Sequence, residues 1–348
     1  MCQNYQRLTP KYTYLLPLPK AAQLLAGRRK CVTSGQEQLK GGVCKVPELP
    51  EVETIKKQLE KYLVGHKITK VEVRARKIFA EGERNLEAGK VNKIRRFGKV
   101  LSIDLDNGYS AVIHIKLTGQ LIYRGPNLPN PASLSEKVVG GIPGLPASAS
   151  QMQAGKHTHV TFFLDKGGKL YYNDVRKFGW IKIIKSSNLK VKSDFIARLG
   201  PEPVVDKKNP PDNPLTLEKF KEIVGSTKRV IKVLLMDQEK IGGVGNIYAN
   251  DALWLARIMP TRSAKSLSPK EQSKLYDAIL NVLKEGLKRG GASELSYVTP
   301  DGNEGSYQEH FLAYGRKDET CKRCHKAKFK KITLGGRGTY FCPVCQKL

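Results

Sequence analysis

Pro47-Glu48-Leu49-Pro50-Glu51-Val52-Glu53-Thr54 sets a proline beside a carboxylate at the head of an amphipathic pattern. Apolar residues recur at Val52, Ile55, Leu59 and Tyr62, a helical stripe behind a proline-rich start. Proline is the one residue whose backbone nitrogen, at a chain terminus, is a secondary amine. Such an amine can attack a sugar C1′ and hold it as an iminium. Inside a chain the Pro47 nitrogen is an amide and has no such nucleophilicity. The chemistry therefore depends on whether the working chain begins at this residue.

Downstream the period falls to two. β-Prone runs at Ile68–Val73, Val91–Arg95, Val100–Leu105, Ser110–Ile115 and Leu121–Tyr123 are followed by His159–Leu164, Lys169–Asn173 and Trp180–Ile184. Many short strands behind one helix predict an antiparallel β-sandwich over 47–185. Within it, 125–155 is rich in Pro, Gly, Ser and Ala and reads as a long surface loop. Residues 186–214 are expected as a linker, three prolines falling between Asp206 and Pro214. A helical domain follows over 215–315, from the patterns Leu217–Val224, Val230–Leu235, Ile247–Ala256 and Pro269–Lys288, with Ser268 as N-cap. Residues 316–348 close the chain around two cysteine pairs. The class is α+β, with several domains.

Upstream, residues 1–46 mix Pro, Gly and basic residues without a sustained period. Residues 1–45 contain a single acid, Glu37. They read as a non-structural extension. Val46 is what a GTG start codon becomes when read internally, and Lys40-Gly41-Gly42 can encode a purine-rich ribosome-binding sequence. The expectation is initiation at codon 46 and a mature chain beginning with Pro47. A transit peptide ending at the same point is the other account.

Lys and Arg number 61 against 32 Asp and Glu, a formal charge of +29. Such one-sidedness points to a polyanionic partner, most often nucleic acid. No apolar run approaches the ~20 residues of a membrane span. Cys2, Cys31 and Cys44 precede the proline motif, Cys321, Cys324, Cys342 and Cys345 end the chain, and none lies between. That is no disulfide framework, and it fits a reducing cytosol. The terminal four, two C-x2-C pairs separated by 17 residues, have four-thiolate zinc spacing. A closed tetrahedron of sulfurs makes one structural Zn²⁺. The competing reading, two redox pairs, lacks the βαβ context. Basic residues between the pairs, Arg337 among three glycines, suit contact with a phosphate backbone.

Gly242-Gly243-Val244-Gly245-Asn246 precedes the third of the helical patterns. Glycines at a helix start let N–H groups approach a phosphate; a plain helix–helix turn is the alternative.

The proline motif, Arg95-Arg96-Phe97-Gly98-Lys99, Leu199-Gly200-Pro201-Glu202-Pro203, the glycine turn and the terminal cysteines stand in the order found in one family. The chain resembles a formamidopyrimidine-DNA glycosylase of the bacterial type from Pro47 to Lys347. The resemblance implies a helix–two-turn–helix DNA-binding domain and a terminal zinc-finger β-hairpin. It implies Pro47 as Schiff-base nucleophile, Glu48 as general acid, Lys99 as an aid to base loss and β-elimination, and Arg337 at the phosphate and the δ-elimination step. Arg176 and Phe178 in Asp174-Val175-Arg176-Lys177-Phe178-Gly179 resemble residues that meet the orphaned base and wedge the stack. The third wedge position holds Leu117, where the family generally has methionine. His157, Lys228, Lys232 and Asn246 resemble DNA-contacting residues, and Cys321, Cys324, Cys342 and Cys345 the zinc ligands. Tyr297 to Gln308 resembles a loop that closes over the lesion.

Two functions follow as expectations. One is a monomeric, cytoplasmic glycosylase and AP lyase acting on damaged duplex DNA, which removes oxidised purines such as 8-oxoguanine or formamidopyrimidines and nicks by β,δ-elimination. The other, if Pro47 is internal, is a non-catalytic duplex-binding protein on the same scaffold.

Overall fold

The computed structural model describes residues 47–126, 128, 154–189, 193–294 and 296–347. The expectations for residues 1–46 and for most of 125–155 lie outside these.

Helix α1, Leu49–Leu63, begins where Pro50 fits the first turn and the Glu48 N–H donates to Glu51 Oε2 at 2.8 Å. It ends before Gly65, whose φ of 89° turns the chain toward the sheet. Its apolar stripe divides between two cores. Leu49 packs with the helical part, whereas Val52, Ile55, Leu59 and Tyr62 pack with the sandwich. Each such side chain, fully buried, contributes about 1.5–3 kcal/mol.

Eight antiparallel strands form the sandwich as expected. They are β1 (Ile68–Val73), β2 (Val91–Phe97), β3 (Val100–Leu105), β4 (Tyr109–His114), β5 (Gly119–Arg124), β6 (Thr158–Leu164), β7 (Lys169–Asp174) and β8 (Trp180–Lys185). One sheet runs β1-β6-β7-β5 and the other β2-β3-β4-β8. Of the three connections that pass between the sheets, two are short, 115–118 from β4 to β5 and 175–179 from β7 to β8. Register sets them side by side, since His114 pairs with Trp180 and Gly119 with Asp174.

The helical part holds α2 (Leu217–Gly225), α3 (Ile231–Leu235), α4 (Asn246–Ala256) and α5 (Pro269–Lys288). Ser268 caps α5 as expected, its Oγ accepting from the Glu271 N–H at 3.3 Å. Helix α4 is apolar nearly all round and is buried from Ile247 to Trp254. Part of the segment expected as linker is packed: Leu189 and Ile196 join a core with Phe97 and Val100. Gly200 lies where a Cβ would meet the Lys240 carbonyl carbon at 2.6 Å. Buried Arg96 donates to Glu53 on α1 at 2.7 Å and to Glu202, which ties the Arg95–Lys99 and Leu199–Pro203 motifs together.

The terminal hairpin, β9 (Lys330–Leu334) and β10 (Arg337–Phe341), turns through Gly335 and Gly336 at φ 54° and 71°. Positive φ at both is the type I′ signature and suits glycine. Arg323 lies 3.8 Å over the Trp254 ring and donates to the Trp254 carbonyl at 2.7 Å, fixing this unit to the end of α4.

Candidate active site

Glu48 stands directly before α1, yet its carboxylate caps a different helix. It accepts from the Ile247 N–H at 2.8 Å and the Tyr248 N–H at 3.5 Å, the free donors at the start of α4. The glycine turn makes the room. A Cβ on Gly245 would lie 2.3 Å from Glu48 Cδ, and one on Gly243 2.6 Å from Leu49 Cδ1. The glycines therefore serve this carboxylate, and the helix start that sequence pattern offered to a phosphate is occupied by Glu48. Gly245→Ala should displace the carboxyl and slow excision by up to about 10²-fold while duplex binding persists. Single-turnover kinetics beside a binding titration checks this; unchanged excision would mean that the carboxyl has no fixed place.

Lys99 reaches the same turn from the sandwich. It lies in the two-residue turn between β2 and β3, and its Nζ donates to the Val244 carbonyl at 3.0 Å. Glu48, Lys99, His114, Asn246, Tyr314 and Arg337 line one cavity of about 220 Å³. Burial pushes the Glu48 carboxyl up to about 7 against the opposing pull of Lys99, and neighbouring Glu51 adds to the rise. Burial likewise lowers the Lys99 ammonium, with Glu48 resisting and Arg337 adding to the fall. A carboxyl raised toward neutrality faces an amine whose proton is held less tightly than an ordinary lysine's. Two groups shifted in these directions can serve as acid and base.

Pro47 is buried immediately before Glu48. Arg337 opens β10, exposed at the cavity wall. Asn246, first residue of α4, accepts from Lys232 Nζ at 2.6 Å. Lys232, expected at the DNA face, is a correction. It is wholly buried, donating also to Thr339 Oγ1 at 2.8 Å and the Gly338 carbonyl at 3.1 Å, so it joins α3 to the hairpin. Burial lowers its ammonium to about 7. Lys228 is exposed before α3 and His157 half-buried before β6, and neither lines the cavity.

The residues expected as wedges gather on the two side-by-side connections. Leu117 lies on the first; Arg176 and Phe178 lie on the second, the guanidinium 4.8 Å over the half-exposed ring. Asp174, fully buried, ties the two. Its Oδ1 accepts from Thr118 Oγ1 and from the Arg176 N–H at 3.1 Å, and its Oδ2 from the Gly179 N–H at 2.8 Å. Lys116 and Lys177, each just before a wedge residue, hold φ of 51° and 54°. Sidechains rarely adopt that backbone, and such strain gathers at sites that must present a residue.

Sequence reasoning passed over His114, Lys116, Met236, Gln238 and Tyr314, all in the cavity wall. His114 stays neutral, pushed down to about 3 by burial and by Lys116, and its Nδ1 accepts from the Lys116 N–H at 3.2 Å. Its place at the end of a strand, three residues before Leu117, was the available signal.

In the hairpin unit the four sulfurs lie within 4.8 Å of one another, Cys321 to Cys345 at 3.8 Å and Cys324 to Cys342 at 3.7 Å. A tetrahedral zinc with ~2.3 Å bonds needs sulfurs ~3.8 Å apart. The donor set fits one structural Zn²⁺. Chelation or Cys342→Ser should abolish nicking by unfolding the support of Arg337, since four-thiolate sites contribute folding energy directly. Arg337→Ala should keep the zinc and weaken DNA binding and cleavage. Metal content beside nicking rate decides, and a chelated protein with full activity would refute the link.

A sandwich and a helical part meeting at one cavity lined by Glu48 and Lys99, with a four-cysteine hairpin unit carrying Arg337 at its wall, make the architecture of a DNA glycosylase. Residues 46–181 match the family model described as "Formamidopyrimidine-DNA glycosylase N-terminal domain", 199–297 its "H2TH domain", and 318–348 "Zinc finger found in FPG and IleRS". The chain is 36% identical over 308 residues to the formamidopyrimidine-DNA glycosylase of Pelotomaculum thermopropionicum, covering 87% of this chain and 100% of that protein. To the Streptococcus mutans protein of the same name it is 34% identical, covering 87% and 100%. Its fold superposes on the Lactococcus lactis Fpg solved with abasic-site DNA at a TM-score of 0.70 and 30% identity, covering 86% and 100%. The chain belongs to the formamidopyrimidine-DNA glycosylase family.

Proposed function

We propose that the protein excises oxidised purines from duplex DNA through an amine at Pro47 and then nicks the strand. The observation that carries this is the buried Glu48 carboxyl, adjacent to Pro47 in the chain and facing Lys99 across one cavity. A free Pro47 nitrogen attacks C1′ as the bond to the base breaks, the amine's own proton going to the departing base, and the Glu48 proton passes to O4′ as the ring opens, leaving an iminium. Loss of the C2′ proton then expels the 3′ phosphate and a second elimination the 5′ phosphate. Lys99 is placed to move protons and Arg337 to hold a phosphate. Solved relatives from Lactococcus lactis hold abasic-site DNA and N7-benzyl-Fapy-dG DNA, the substrate classes that this reading assigns to the chain. We read the working form as a monomer acting in the cytoplasm; no helix among the described residues is long and apolar enough to cross a membrane.

The test is a labelled duplex with one 8-oxoguanine, beside its undamaged twin. Base release and a nick with phosphate on both ends are expected only on the first. Binding without release would favour a non-catalytic role.

A damaged base must leave the stack before Pro47 can reach it, and the hole must be filled. Leu117→Ala should therefore slow processing of a paired lesion far more than of a preformed abasic site, because unstacking falls on base extrusion. Equal slowing of both would make Leu117 a packing residue.

A further inference from the structure

Between Gly291 and Gly305 the described residues leave the helical part and cross to the sandwich. They land on β5, the edge strand of its sheet. The Tyr123 N–H donates to the Pro300 carbonyl at 2.8 Å, and Gln120 Nε2 to the Ser296 carbonyl at 2.6 Å. At the other end the Tyr297 hydroxyl donates to the Gly290 carbonyl at 3.0 Å, and the Ala292 N–H to Glu51 at 2.8 Å. The strap also reaches the first wedge turn: Ser296 Oγ donates to the carbonyl of Leu117 at 3.2 Å. Gln120 follows Leu117 by three residues, so two anchors hold Ser296 against the first wedge turn.

We propose that Ser296 is a positioning residue that makes seating of the 291–305 strap and insertion of Leu117 one event. The strap is pinned to the first turn of α1 through Glu51, whose Oε2 also accepts from the Glu48 N–H. A strap seated on β5 therefore registers the general acid and the wedge in a single frame. A strap lifted from β5 takes with it the donor that holds the Leu117 carbonyl, and that turn is already strained at Lys116. This coupling rests on the excision reading, and it gives the enzyme a way to withhold chemistry until the stack has been opened.

The experiment uses the active chain and a paired lesion duplex with 2-aminopurine beside the lesion, followed by fluorescence and by single-turnover excision. Ser296→Ala should slow unstacking about five- to tenfold, the scale of one lost hydrogen bond. Ser296→Thr, which keeps the hydroxyl, should restore the rate. Gln120→Leu should repeat the defect from the other anchor. In a Leu117→Ala background, Ser296→Ala should add nothing, since a residue that works through the wedge has no further effect once it is gone. Additive losses, or no loss in either single variant, would overturn the coupling. Unstacking is read without base release, so absent excision in the unmodified chain would count against the proposed activity and leave the judgement on Ser296 intact.

Discussion

A protein whose first residue is Pro47 should be captured on a lesion-bearing duplex by borohydride as a covalent adduct, and the same protein with Val46 joined to Pro47 should give none. The difference is all or nothing because it is one of bonding: an amide nitrogen has no lone pair to offer C1′. The free α-amine titrates near ~8, so roughly a tenth is neutral at pH 7, against about one in a few thousand for an ordinary lysine. Terminal sequencing of the trapped protein identifies the attacking residue. An adduct formed by the chain carrying Val46 would transfer the role to another amine. Lys99 would be the first to examine, because burial lowers its ammonium and it faces the same cavity.

Glu48→Gln should reduce base excision by at least ~10²-fold while duplex binding is kept, the usual scale for a lost general acid. Glutamine's one amide oxygen can still accept from the Ile247 N–H, the shorter of the two bonds, so the start of α4 stays capped, but it has no acidic proton to give. The pH profile adds a second readout. The carboxyl is raised to about 7, so the proton-bearing form prevails below that value and is lost above it. Excision by the unmodified site should therefore fall as pH rises through about 7. The amine works in the opposite direction, becoming neutral as pH climbs toward ~8. A narrow bell is the result, and its alkaline limb should vanish in Glu48→Gln. Near-normal excision by the variant, or an unchanged limb, would remove Glu48 from the mechanism.

Much of the fold was legible because period alone carries it. Alternation marked all eight strands to within a few residues, and the stripe Val52, Ile55, Leu59, Tyr62 marked α1. The zinc ligands were legible because four thiolates in two pairs have few other uses. Lys232 was not, since a lysine in sequence looks like a surface cation, and only three oxygens converging from α4 and the hairpin show it to be interior. Nor was the purpose of Gly245. Its partner lies 197 residues away, and no local pattern reports a carboxylate arriving from another element. Asp174 was hidden in the same way: its neighbours in sequence drew the eye as wedge residues, while its own carboxylate faces inward to hold them.

The division of α1 between two cores bears on how this molecule fails. Its first turn belongs to the helical part and the remainder to the sandwich, so neither half can be cut away without leaving an apolar stripe in water. The two halves should consequently melt as one cooperative unit. Glu48 sits at that shared joint, held by donors from across it. A mild insult at the joint, by heat or by substitution, will cost turnover while secondary structure is still intact, which makes the loss of activity the earliest sign of unfolding.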